Sequence, residues 1–129
     1  RIIGNISDLD KSIFTKKSNV EILGPKKNLS NYVKNSFCGL ANLQIATGIQ
    51  GKVLTYMSYG LPVVCSKRVA QNFGNNVLEY KKNSDLIEKL ISLKKDKIIS
   101  NNLSKKSLKF SKSLLWKKVK LKYLKLFKF

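Results

Sequence analysis

The run Leu61-Pro62-Val63-Val64-Cys65 constrains this chain more than any other stretch. It is apolar at consecutive positions, so both of its faces need covering, as in a central strand of a parallel sheet. Gly60 stands immediately before it and closes a helical stretch, 52–59, whose Val53, Leu54 and Met57 share one side. A helix feeding a doubly covered strand is the core of a parallel crossover unit. The rest of the first 80 residues repeats the theme. Ile2-Ile3 is strand-like, and 19–24 alternates as a strand until Gly24-Pro25 ends it. Asn28 or Ser30 can cap a short helix through Tyr32 and Val33. Residues 37–43 read as a buried strand, and 76–80 as one more. The strand centres are expected at 20–23, 39–43, 62–65 and 77–80.

From residue 83 the pattern is helical to the end. Asn83 or Ser84 is expected to cap a helix carrying Leu86, Ile87, Leu90 and Ile91. A second helix is expected from about 96 to 109. A third, from about 113, places Trp116, Val119, Tyr123 and Leu126 on one side and Lys118, Lys122 and Lys125 on the other. Strands alternating with helices predict an α/β fold, a parallel sheet with helices on both faces, followed by C-terminal helices. The 129 residues suit one domain, and no repeat or low-complexity linker divides them. The reading is a single domain, 1–129, with a helical, Lys-rich segment over about 83–129. Its start, Arg1-Ile2-Ile3-Gly4, has neither an initiator Met nor a signal-peptide pattern, and reads as a cut from something longer.

Absences narrow the chemistry. Without a single His, a His-based triad, an HExxH zinc site and an imidazole acid–base are excluded within the chain. Cys38 and Cys65 stand alone in apolar runs, where a free Cys behaves as a small hydrophobe. Neither a metal nor a cofactor is expected, and isolated thiols fit a reduced, cytoplasmic compartment. No stretch approaches the roughly 20 apolar residues of a membrane span.

The net charge is +19, from 26 basic and 7 acidic residues, but 24 of the basic residues are Lys and only Arg1 and Arg68 are Arg. Readers of bases and phosphates lean on Arg for its bidentate fork, so no nucleic-acid partner is expected. The excess sits in the tail: 1–80 hold 10 basic and 4 acidic residues, 81–129 hold 16 and 3. Two readings of that tail stand together. It is a solvated face of an AT-rich coding sequence, or it meets an anionic membrane surface peripherally.

Ligands of such sheets bind beyond the carboxyl ends of the strands, near helix N-termini. The candidate stretch is Ala46-Thr47-Gly48-Ile49-Gln50-Gly51-Lys52-Val53-Leu54-Thr55. Gly48 and Gly51 let a ligand approach the backbone, the following helix offers unpaired N–H groups, and Lys52 adds a whole positive charge. A phosphate or pyrophosphate is the natural guest. The plainer reading is a turn and a solvated Lys; neither a Walker A signature nor GxGxxG is present.

The segment from Gly48 to Val64 resembles the donor-site signature of the group 1 (family 4) glycosyltransferases. That signature is a Gly-rich turn, a Lys-Val-Leu-Glu-Ala-Met-Ala-like helix, then Gly-x-Pro-Val-Val; here Gly51-Lys52-Val53-Leu54-Thr55-Tyr56-Met57 leads to Gly60-Leu61-Pro62-Val63-Val64. Ile2-Ile3-Gly4, 19–24, 29–36 and 110–116 are similar to flanking segments of the family in the same order. The resemblance implies most of the C-terminal, Rossmann-like half of a GT-B fold, binding a nucleotide-sugar donor. It also implies a metal-independent, retaining transferase whose first strand, basic loop and N-terminal acceptor domain lie outside the chain. The implied donor-binding residues are Gly48, Ile49, Gln50, Gly51, Lys52 and Thr55, with no catalytic residue here. Gly24 and Pro25 fall near where the family seats the base, and also read as a plain turn. Thr47 and Thr55 stand where the family often has two Glu residues, the second of which holds the donor ribose. Two further readings stand beside this one: an inactive relative, for which Thr55 is the sign, and a basic nucleic-acid-binding module. The latter calls for exposed aromatics among the basic residues, whereas the aromatics here are expected mostly on apolar faces.

Overall fold

This computed structural model describes residues 1–126, with strands and helices alternating as far as Tyr80 and helices alone beyond it. These residues fall into two units, Arg1–Tyr32 and the chain from Val33 onward. In the first, β1 (Ile2–Ile3) runs parallel to β2 (Ile22–Gly24), and α1 (Asp8–Phe14) is the crossover between them. The start of α1 is set locally: the Ser7 hydroxyl accepts the Asp10 N–H at 3.1 Å, and Asp8 and Asp10 lie at the positive end of the helix. Arg1 and Glu21 form an ion pair of 2.8 Å, exposed on both sides and so of little weight. No residue of this unit is buried.

The unit boundary falls within α2 (Ser30–Lys34), where the Asn28 side chain accepts the Ser30 N–H at 2.8 Å. Next come β3 (Gly39–Ala41), α3 (Gly51–Ser58), β4 (Val63–Ser66), α4 (Lys67–Ala70), a 3₁₀ turn at Gly74–Asn76 and β5 (Leu78–Tyr80). Three longer helices close the chain: α5 (Asn83–Lys95), α6 (Lys97–Ser113) and α7 (Trp116–Leu126). The three strands form a parallel sheet in the order β3-β4-β5, with Ala41 opposite Cys65 and Ser66 opposite Tyr80.

The doubly apolar run is the middle of that sheet. Val63, Val64 and Cys65 are each fully buried. Alternation sends Val63 and Cys65 to one face, with Ala41, Val53, Met57, Val69 and Phe73, and Val64 to the other, with Tyr80, Leu93 and Leu103. Thus α3 and α4 cover one face and α5 the other. Helix α6 serves both, placing Leu103 in the second cluster and stacking Phe110 on Phe73 with ring centroids 5.6 Å apart. The protein is α/β, with small parallel sheets and helices on both sides of the larger one.

The turn from α3 into β4 follows from Gly60. The Leu61 N–H reaches the Tyr56 carbonyl at 3.1 Å and the Gly60 N–H reaches Met57 at 2.9 Å, the paired bonds of a Schellman motif. That motif needs the left-handed backbone that Gly60 adopts at φ +73°. Pro62 then enters at the strand's beginning, where its carbonyl accepts the Gly39 N–H at 2.8 Å.

Several expectations are corrected. The strands form two sheets rather than one, and the strand expected over 37–43 is only Gly39–Ala41. As the edge of its sheet it pairs only with β4, which is four residues long; Phe37, ahead of it, is exposed. β2 begins two residues later than expected and β4 and β5 one residue later. Helix α5 is capped by neither Asn83 nor Ser84; Lys82 holds the cap position, and the Asp85 carboxylate accepts the Lys81 N–H at 3.0 Å. The last helix begins at Trp116, and the helical pattern expected over 127–129 lies outside the described residues. Not every aromatic is covered: Phe37 is exposed, and so are Trp116 and Tyr123 on the apolar side of α7.

Candidate functional site

The carboxyl ends of β3, β4 and β5 are tied together by side chains that the sequence reading did not single out. Tyr80, the last residue of β5, donates its hydroxyl proton to Oδ1 of Asn42, just past β3. Ser66, the last residue of β4, donates to the Leu43 carbonyl at 2.7 Å. These bonds carry the pairing of β3 and β4 beyond the last backbone register pair, so the loop toward α3 leaves from a fixed stem. Burial, and then the neighbouring Cys65, push the Tyr80 phenol above its ordinary value, consistent with its role as a donor. The readable signal was positional: Asn42, Ser66 and Tyr80 are the polar residues at the strand ends.

The loop then delivers the six sequence-predicted residues. Gly48 adopts φ +67°, a left-handed conformation open to Gly at no steric cost, and a Cβ there would meet nothing within 4 Å. Ile49 is exposed beside it. Gln50 is the N-cap of α3 in an extended conformation, and its side chain donates back to the Thr47 carbonyl at 3.4 Å rather than capping the helix. The Gln50 carbonyl accepts the N–H groups of Val53 and Leu54 at 3.1 and 3.2 Å. The N–H groups of Gly51 and Lys52 have no acceptor among the described residues. Gly51 faces open space, Lys52 is exposed, and no acidic residue occupies the first turn. Gly48 to Lys52 therefore form one uncovered, electropositive helix start. Thr55, one turn further, is half-buried and donates its hydroxyl to the Gly51 carbonyl at 3.0 Å. Val53 and Met57, on the opposite side, are core residues.

Neither cysteine is poised for nucleophilic chemistry. Burial pushes the Cys38 thiol up to about 11. Burial, and then the Glu79 charge, push Cys65 up to about 12, so both remain protonated at neutral pH. Cys65 is buried and Cys38 half-buried. Among the described residues, no three of His, Cys, Asp and Glu come together as a metal site. In the first unit, Gly4, Asn5, Lys11, Thr15, Gly24 and Pro25 help to line an open cleft of about 760 Å³ at the carboxyl ends of β1 and β2. Gly24 and Pro25 are thus part of a concavity as well as of a turn. No family model, curated protein or solved structure matches the chain.

Proposed function

We propose that the chain is the donor-binding half of a glycosyltransferase of the Rossmann-like GT-B kind, transferring a sugar from a nucleotide-sugar to an acceptor held by a separate N-terminal domain. The observation that carries this reading is the start of α3. Two unpaired N–H groups, two glycines that leave the backbone open and an exposed Lys52 occupy this one helix start, a place for a diphosphate. A diphosphate there gains charge-assisted hydrogen bonds and the favourable end of the helix dipole. When the glycosidic bond breaks, negative charge builds on the leaving nucleoside diphosphate, and the same groups stabilise it without a metal ion. Gln50 holds the loop to Thr47, and Thr55 offers its oxygen lone pairs one turn along. No residue of this chain is assigned as nucleophile or general base.

The test is Lys52→Ala in the full-length protein, read by calorimetry against nucleoside diphosphates. Binding should weaken by roughly 1–3 kcal/mol, the range for losing a hydrogen bond to a charged group. The melting temperature should hardly move, because an exposed Lys adds little to the core. Equal affinity with equal melts would mean that this helix start does not hold the donor phosphates.

A further inference from the structure

The last described helix is amphipathic and almost bare. Of the residues of α7 only Val119 is half-buried; the rest are exposed, Trp116 and Leu126 at 78% each. At about 100° per residue, Trp116, Val119, Tyr123 and Leu126 fall within an arc of about 80°. Leu115, just ahead of the helix, is exposed as well. Lys120 and Lys122 border the arc, one on each edge, while Lys117, Lys118 and Lys125 lie on the far side, which also carries Leu121 and, toward Lys120, Leu124. From Lys97 to its end the sequence holds 11 Lys and no Asp or Glu, so no carboxylate on α6 or α7 neutralises this charge. The two ion pairs among the described residues lie elsewhere, at Arg1–Glu21 and Lys89–Asp85.

An exposed Trp, Tyr and Leu stripe bordered by lysines needs a partner with an apolar layer directly beneath a layer of negative charge. A nucleic acid offers the charge without a layer to receive leucines, and base or phosphate readout would favour Arg over Lys. An anionic bilayer offers both: Trp and Tyr settle at headgroup level, and Lys stems run along the apolar boundary to reach phosphates. No described helix is long and apolar enough to cross a membrane, so the contact is in-plane. We propose that α7 lies on an anionic phospholipid surface, its Trp116, Val119, Tyr123 and Leu126 side sunk into the headgroup boundary and the bordering Lys120 and Lys122 on lipid phosphates. This surface is independent of the donor-binding reading.

Trp116 is the chain's single Trp, so its fluorescence reports on this helix alone. The whole chain is mixed with phosphatidylcholine vesicles, with and without phosphatidylglycerol. The expected result is a blue shift, and quenching by lipids brominated high on the acyl chain, only when phosphatidylglycerol is present and reversed by salt. Combining Lys120→Gln and Lys122→Gln, the two lysines that border the stripe, should weaken partitioning about twenty-five-fold, at about fivefold per Lys, with circular dichroism unchanged. Unchanged emission on anionic vesicles would overturn the proposal, as would co-sedimentation with vesicles in which Trp116 is not quenched. A blue shift that grows with protein concentration in buffer would assign the face to a second copy instead. Tighter, Trp116-reported binding to single-stranded nucleic acid than to vesicles would assign it there.

Discussion

If α3 holds a nucleotide-sugar donor as proposed, Thr55 sets how much of its ribose the first two turns can hold. The one proton of Thr55 already goes to the Gly51 carbonyl, so toward a ligand its single neutral oxygen acts only as an acceptor. A carboxylate at the same place offers two charged oxygens, one for each ribose hydroxyl. Thr55→Glu should therefore tighten nucleoside-diphosphate binding by about 1 kcal/mol, one added hydrogen bond, without any gain for inorganic pyrophosphate. Calorimetry on both ligands separates a ribose contact from a general change in the loop: a gain for pyrophosphate would discount the ribose. Gly39 is a residue of the opposite kind, required by packing. A Cβ there would lie 2.8 Å from the Tyr56 Cβ and closer still to the ring, so α3 can rest on β3 only across a bare backbone. Gly39→Ala should cost roughly 1–3 kcal/mol in chemical denaturation, as overpacked cores do. The penalty should shrink when Tyr56→Ala is combined with it, since the two changes share one contact.

At the scale of elements, helix starts separate what is written locally from what is not. Asp96 accepts the N–H groups of both Ile98 and Ile99, at 2.8 and 3.0 Å, and α6 begins within a residue of where the sequence places it. For α5 the sequence offers Asn83 and Ser84, equally good caps on paper, yet the cap falls on Lys82, and Asp85 does the work by a different route. Its carboxylate takes the Lys81 N–H at 3.0 Å and the Lys89 ammonium at 2.7 Å. Chiefly the Lys89 hydrogen bond, then the Lys81 N–H, hold it below the ordinary 3.8. In acid the unfolded chain then binds more protons than the folded one, so stability rises with pH there. The contribution is complete above the unfolded value and is lost as pH falls through the lower folded one. Asp85→Asn should flatten that part of a stability profile, measured by urea denaturation at a series of acid pH values; an unchanged slope would exclude the pairing. The helix–Gly60–β4 passage was legible because strand burial, helix stop and turn are all dictated within 15 residues. The extent of β3 was not, because the end of an edge strand depends on the partner across the ladder. Helix α1 went unread although Ser7 and Asp10 stand at cap spacing, since its Leu9, Ile13 and Phe14 are exposed and make no core-facing stripe. In the candidate site the open helix start could be read from Gly48, Gly51 and Lys52. The bonds among Asn42, Ser66 and Tyr80 join three strands far apart in sequence and needed the register to be seen.

Over the whole molecule, burial is distributed unevenly, and this governs which parts open first. Every fully covered strand position belongs to the second unit, where β4 lies between α3 and α4 on one face and α5 on the other. The first unit consists of two short strands and a seven-residue helix, with no buried residue among its 32. Backbone hydrogen bonds that no apolar cluster shields open locally at little free-energy cost, whereas those of a buried central strand open only with global unfolding. Native-state hydrogen exchange should accordingly show the amides of Ile22 to Gly24 exchanging far ahead of those of Val63 to Cys65. The protection of the latter should track global stability in denaturant, while that of the former should not. Limited trypsin digestion reads the same hierarchy through covalent cuts. Lys11, Lys16, Lys17, Lys26 and Lys27 are exposed on this weakly buried unit and should be cut first. A protected fragment should retain residues 53–107, even though it includes exposed lysines of its own at 94 and 95. If cleavage began at those helical lysines, or if both strands exchanged at one rate across denaturant concentrations, the two units would be a single cooperative body. The uneven burial would then not be a hierarchy of opening.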